Sequence, residues 1–172
     1  DRVLAVDHTL TKHADHWLIR EITLNMARVL RRLDLTAKSF FTFVEPGRCF
    51  AGNLLELALS ADRTYMLNNP DKKVEAATSE MDRGALPMSN GLTRLQSRFL
   101  AEPERADAVL EHEGRFDTEE AEEAGLVTFA PGDLDWEDEI RVAVEAPAGD
   151  RQLPLPCLRG EPSEPEHLRL HR

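Results

Sequence analysis

Glu56 stands inside the run Leu54-Leu55-Glu56-Leu57-Ala58-Leu59, which is otherwise wholly apolar. A carboxylate placed there must be paired or hydrogen-bonded, because burying it alone costs several kcal/mol. A second acidic site, Ser79-Glu80-Met81-Asp82, lies just before Gly84, Pro87 and Gly91. Two carboxyl groups brought together in an apolar pocket can divide the work of general acid and general base. The alternative for Glu56 is a structural carboxylate satisfied by a cap or an arginine, and for Glu80 a solvated loop acid. His8, His13 and His16 are spaced five and three apart with no matching carboxylate pattern, and are expected to be solvated histidines around a helix start rather than metal ligands. Cys49 has no histidine near it in sequence and reads as a small buried hydrophobe, not a nucleophile.

These residues need a scaffold, and the chain is long enough to build one. It has 172 residues, 41% of them apolar, enough for one domain or slightly more. The net charge of -11 argues against nucleic acid, which needs a basic face to neutralise phosphates. Two cysteines, Cys49 and Cys157, match no zinc spacing and suggest no disulfide framework, so a reducing cytoplasm is expected. No apolar run approaches the ~20 residues of a membrane span. The first residues are Asp1-Arg2 with no methionine, and we expect a processed chain or an excised portion.

Residues 15–33 carry Leu18, Ile22, Met26, Val29, Leu30 and Leu33 at spacings of three and four, which predicts a helix with one apolar stripe. Asp15 could cap its start, and Arg28, Arg31 and Arg32 suit its negative end. Residues 39–45, rich in Phe, Thr and Val, predict a strand, and Pro46-Gly47 a turn. A short buried helix over 51–60 and a strand over 63–67 follow. Further helices are predicted over 92–100, 104–110, 118–124 (Thr118 as N-cap, Gly125 after its end) and 134–144, with a short strand at 127–129. Trp17 and Trp136 are expected as core anchors, with Ile140 and Val144 on the Trp136 face. The acidic run 119–123 reads as a solvated face. Strands alternating with helices make the class α/β. We expect a core over residues 1–146 and an irregular tail over 147–172, which holds five of the ten prolines and no Val, Ile or aromatic residue.

The order of buried strand, glycine turn, Glu-bearing apolar helix, Ala-Asp and strand resembles the crotonase (enoyl-CoA hydratase/isomerase) superfamily. Three later segments agree in order: residues 80–87 (EMDRGALP), 90–95 (NGLTRL), and Gly114-Arg115-Phe116 with Ala121, Ala124, Gly125, Leu126 and Val127. Within the superfamily, the stretches DHWLIREI (15–22), VLRRLDLTAKSFF (29–41), VEPGRCFAGNLLELALSADRTYML (44–67) and LPMSNGLTRLQSRFL (86–100) resemble one branch, the benzoyl-CoA-dihydrodiol lyases, also described as 2,3-epoxybenzoyl-CoA dihydrolases.

The resemblance implies a partial crotonase-like core of stacked strand, strand and helix units. It implies a ring-opening reaction on an epoxidised aromatic CoA thioester, with water consumed and formate released, or, as an alternative, ordinary enoyl-CoA hydratase or isomerase chemistry. Glu56 and Glu80 match the family's two acids, with Asp82 the other candidate for the second. The turn that includes Gly47, Ala51, Gly52 and Asn53 matches the oxyanion and substrate-binding segment, the donor N–H being that of Gly52 or Asn53. Arg48 or Lys38 could meet CoA phosphates, against the alternative of solvated surface cations. No metal or redox cofactor is implied, CoA being part of the substrate, and a homo-oligomer is expected. The family's first oxyanion donor and first strands would precede Asp1, so the chain is expected to be a C-terminal portion, and a catalytically silent, CoA-binding or assembling piece is the remaining possibility.

Overall fold

The computed structural model describes residues 1–145. Two helices come first, α1 (Arg2–Lys12) and α2 (Trp17–Asp34), then β1 (Phe41–Val44), β2 (Phe50–Ala51), a 3-10 turn (Gly52–Leu54), α3 (Leu55–Leu59), β3 (Arg63–Met66) and β4 (Ala76–Ala77). A second 3-10 turn (Glu80–Arg83) leads to α4 (Arg94–Arg98), α5 (Pro103–Glu111), α6 (Thr118–Glu123) and α7 (Trp136–Glu145). The expected tail over 147–172, with Cys157, lies outside the described residues.

β1 pairs in parallel with β3, Phe41 facing Arg63 and Val44 facing Met66, and β2 pairs in parallel with β4. Parallel neighbours require a crossover, and here α3 supplies it between β1 and β3. The strand expected at 127–129 is reduced to a single parallel bridge, Tyr65 to Phe129, on the edge of β3. Tyr65 stacks there on Phe129, ring centroids 5.0 Å apart, and lies tilted against Phe43 at 5.6 Å.

Two apolar clusters hold these elements. The larger gathers Val44, Leu55, Ala58, Met66, Leu95, Phe99, Leu126 and Trp136, so Trp136 is the anchor expected of it. The smaller joins Leu10 of α1, Ala27 and Leu30 of α2, and Met81 and Leu86. α3 serves both, with Leu55, Ala58 and Leu59 in the first and Leu57 against the second.

Several expectations are corrected. α2 begins at Trp17, and its cap is His16, whose Nδ1 accepts from Leu18 N–H at 3.2 Å, rather than Asp15. The stripe predicted for α2 is only partly core: Ala27 and Leu30 are buried, while Leu18, Ile22 and Val29 are exposed, and Trp17 is 70% exposed. Spacing fixes which residues share a face, not which element covers it. Asp117, not Thr118, caps α6, because its carboxylate and Glu120 close a reciprocal capping box. Cys49 is exposed rather than buried, while Trp136, Ile140 and Val144 line one cleft of α7. Among the described residues no helix is long and apolar enough to cross a membrane.

Candidate active site

Of the described glycines, Gly52 of the first 3-10 turn is the one with least room for a side chain. Gly52 is buried with φ +52°, and a Cβ there would overlap Asp7 Oδ2 and come within 2.9 Å of Ser79 Oγ. The missing side chain therefore makes room for a carboxylate from another element. α1 packs on this turn and on the Glu80–Arg83 turn, and delivers Asp7, 0% exposed, between them. Asp7 Oδ2 accepts from Asn53 N–H at 2.8 Å and from Ser79 Oγ–H at 2.8 Å, while Oδ1 accepts from Asn53 Nδ2.

One residue past this turn begins α3, which carries Glu56 into the interior at 1% exposure. Arg94 Nη1 donates to Glu56 Oε2 at 2.6 Å and to Leu86 C=O at 3.1 Å. The other edge of the same guanidinium grips Asp34 with two bonds, Nε to Oδ1 at 2.9 Å and Nη2 to Oδ2 at 2.7 Å. Ser79 starts the second 3-10 turn through a capping box: its Oγ accepts from Met81 N–H, and its own N–H donates to Asp82 Oδ2 at 2.6 Å. That box turns Asp82 inward, to 0% exposure, within hydrogen-bonding reach of Glu56.

Two carboxyl groups, Glu56 and Asp34, thus share one guanidinium, while Asp82, with Asp7 and Glu56 near it, adds a further acid. Burial, the largest cause, pushes Glu56 above its usual range, opposed by the hydrogen bond and charge of Arg94. Burial also pushes Asp82 up, to about 7, opposed by the Ser79 N–H and helped by the charges of Glu56 and Asp7. Asp82 Oδ1 is buried with no donor aimed at it. A proton held by Asp82 would relieve the charge that burial penalises. With Asp82 pushed up to about 7 beside Glu56, the arrangement suits general acid–base work.

The residues expected from sequence are only partly brought together. Glu56 lies in the interior with an arginine partner. Glu80 is exposed and the position beside Glu56 belongs to Asp82, because the capping box turns residue 82 inward. Glu80→Gln is accordingly expected to change unfolding free energy by no more than about 0.5 kcal/mol in urea denaturation. Gly52 and Asn53 adjoin the pair, but the Asn53 N–H already serves Asp7. Gly47 and Ala51 instead line a separate cleft of about 200 Å³ with Arg48, Lys73, Glu75 and Arg115, which touches neither Glu56 nor Asp82. Arg48 there is in an ion pair with Glu45 at 3.0 Å.

Asp7, Asp34, Ser79 and Arg94 are site residues to which the sequence reading gives no role of their own. Two of them carry a signal: Asp7 falls on the same helical face as Val3 and Leu10, and Ser79 with Asp82 spells a capping box. His8, His13 and His16 are exposed, and among the described residues no group of His, Cys, Asp and Glu has a metal-holding arrangement.

No family model matches the chain. Over 144 residues, 83% of the chain, it is 44% identical to the benzoyl-CoA-dihydrodiol lyase of Aromatoleum evansii. The chain spans about a quarter of that relative's length, 26%. The crystal structure of an enoyl-CoA hydratase/isomerase family member superposes with a TM-score of 0.51, covering 69% of this chain and 43% of that one at 14% identity. That likeness is one of fold. On sequence and architecture together, the chain is similar to part of a benzoyl-CoA-dihydrodiol lyase and has the fold of the crotonase superfamily.

Proposed function

We propose that this chain carries an acid–base centre of a crotonase-type enzyme acting on an acyl-CoA thioester, with Glu56 as base and Asp82 as acid. The observation that supports this reading is the buried Glu56–Asp82 pair next to the Gly52–Asn53 turn. Glu56, held ionised, takes a proton from water, and Asp82 returns one to the opening ring. The proposed substrate is an epoxidised, dihydrodiol-type benzoyl-CoA, opened with release of formate, which the similarity to the Aromatoleum evansii protein favours over generic hydration. The chemistry uses side chains of the chain and no separate cofactor. Because Asp7 occupies the Asn53 N–H and α1 packs on both 3-10 turns, substrate reaches these groups when α1 lifts off the turn. The same reading makes the protein a cytoplasmic homo-oligomer.

Glu56→Gln is expected to retain benzoyl-CoA binding and to lose turnover of 2,3-epoxybenzoyl-CoA, read as formate release, by about 100-fold or more. Unchanged turnover in that variant would remove Glu56 from the chemistry. Faster turnover of crotonyl-CoA than of the epoxide would favour the hydratase alternative.

A second reading has its own observation. The pair is wholly buried and the nearby N–H already engaged, which suits a catalytically silent crotonase-like unit that binds CoA esters or assembles. On that reading, substitutions at Glu56 and Asp82 change stability and leave turnover of the full protein untouched.

A further inference from the structure

The two carboxyl groups of the pair are not equivalent, and the difference lies with a residue on neither of their elements. Arg94 is the first residue of α4, set in place by the Thr93–Gln96 capping box. Its side chain is 2% exposed and bridges the end of α2, α3 and the Leu86 carbonyl. The guanidinium fork suits such a bridge, since two bonds to Asp34 fix its plane and the remaining Nη1 points at Glu56. Among the described residues no cation reaches Asp82. Its Oδ2 accepts a backbone N–H, its Oδ1 has no donor of its own, and its carboxyl lies within hydrogen-bonding reach of Glu56.

We propose that Arg94, oriented by Asp34, is the positioning residue that holds Glu56 as the carboxylate of the pair and leaves the shared proton on Asp82. The inference rests on the reading of the pair as an acid and a base, and adds what decides which is which. The charged groups around the pair are Asp7 from α1, Asp34 from α2, Glu56 from α3, Asp82 from the 3-10 turn and Arg94 from α4. Asp7 and Asp34 are acidic and can only raise the pair's affinity for a proton, while the hydrogen bond between the two carboxyls lowers that of Glu56 and raises that of Asp82. Arg94 is the one cation among them, and of the pair it touches only Glu56. Arg94 touches the pair only at Glu56, so its effect on chemistry passes through the protonation state of the pair.

The test is a carbon-13 carboxyl titration of the protein labelled at Asp and Glu, which needs no turnover. In the unaltered protein Asp82 should titrate at about pH 7, with Glu56 already ionised at that point. In Arg94→Lys, whose single point charge cannot hold Asp34 by a fork and Glu56 together, the Glu56 midpoint should rise by about one unit or more and overlap that of Asp82. Arg94→Met should show the same more strongly; should it not fold, Arg94→Lys and Glu56→Gln suffice. In Glu56→Gln the loss of the adjacent charge should lower the Asp82 midpoint by about one unit. A purely structural Arg94 would lower the unfolding midpoint and leave the titration order as it was, which would overturn the proposal. So would Glu56, rather than Asp82, titrating near neutrality in the unaltered protein. Failure of the acid–base reading shows elsewhere, as full turnover in Glu56→Gln with the titrations as stated.

Discussion

Asp82→Asn should stabilise the folded chain above neutral pH, although it removes a buried group from the centre of the network. The Asp82 carboxyl has its pKa raised from an ordinary 3.8 to about 7 in the fold. Below about pH 4 both folded and unfolded chains hold the proton and the stability linked to it is fully present. Between about pH 4 and 7 the unfolded chain gives up its proton while the folded chain keeps it, so stability falls as pH rises. Above about pH 7 the loss is complete and amounts to about 4 kcal/mol from this one group. Asparagine cannot ionise. Its carbonyl can still accept the Ser79 N–H, and its amide can donate to Glu56 where the acid's proton was. Unfolding in urea at about pH 8 should therefore show Asp82→Asn more stable by up to about 4 kcal/mol, with the difference vanishing at about pH 4. A variant less stable than the parent at the higher pH would mean that the pair does not share a proton. On the acid–base reading, the same substitution abolishes turnover, so activity and stability should move in opposite directions.

Gly52→Ala should be the most damaging small substitution in the chain. The new methyl group would overlap the Asp7 carboxylate, close on Ser79 Oγ, and sit on a backbone of φ +52° that side chains rarely adopt. Asp7 can yield only by giving up its bonds to Asn53 and Ser79 while remaining buried. Each bond to a charged group contributes about 1.5–3 kcal/mol, and the backbone strain adds about 1 kcal/mol. A loss of about 4 kcal/mol or more is expected in thermal or urea unfolding, enough to unfold a marginal domain. The cause can be isolated by pairing the variant with Asp7→Ala. If the overlap is what matters, the double variant is less destabilised than the sum of the two single ones. Strict additivity would place the cost in the backbone alone.

How far the sequence can be read follows from the range of each interaction. The helix over 15–33 is visible because its apolar spacing is local, yet the side of it that is covered depends on α1 and the 80–86 segment, which lie elsewhere in the chain. α1 is hidden in the sequence because Asp7, His8, Thr9 and Thr11 interrupt its apolar face, and the reason Asp7 is tolerated there is a glycine 45 residues away. β2 and β4 hold two residues each, too few for alternation to register. Glu56 stands out because a single acid in an apolar run is a local anomaly. Its partner lies two residues from the expected one because family position points to Glu80, while the Ser79 capping box points Asp82 inward. That box is legible in the residues themselves. Arg94 and Asp34, sixty residues apart, meet only in the folded chain.

Asp7 can also be seen as a tethered ligand. It fills an anion-accepting nook made of the Asn53 N–H, the Asn53 amide and the Ser79 hydroxyl. Any incoming oxygen that seeks the Asn53 N–H competes with a carboxylate whose local concentration is set by the chain and is on the order of millimolar or above. Dialysis cannot remove such a competitor, and dilution does not weaken it. The affinity observed for an anionic or enolate-like oxygen at this turn is then its intrinsic affinity scaled by the fraction of molecules in which α1 has released Asp7.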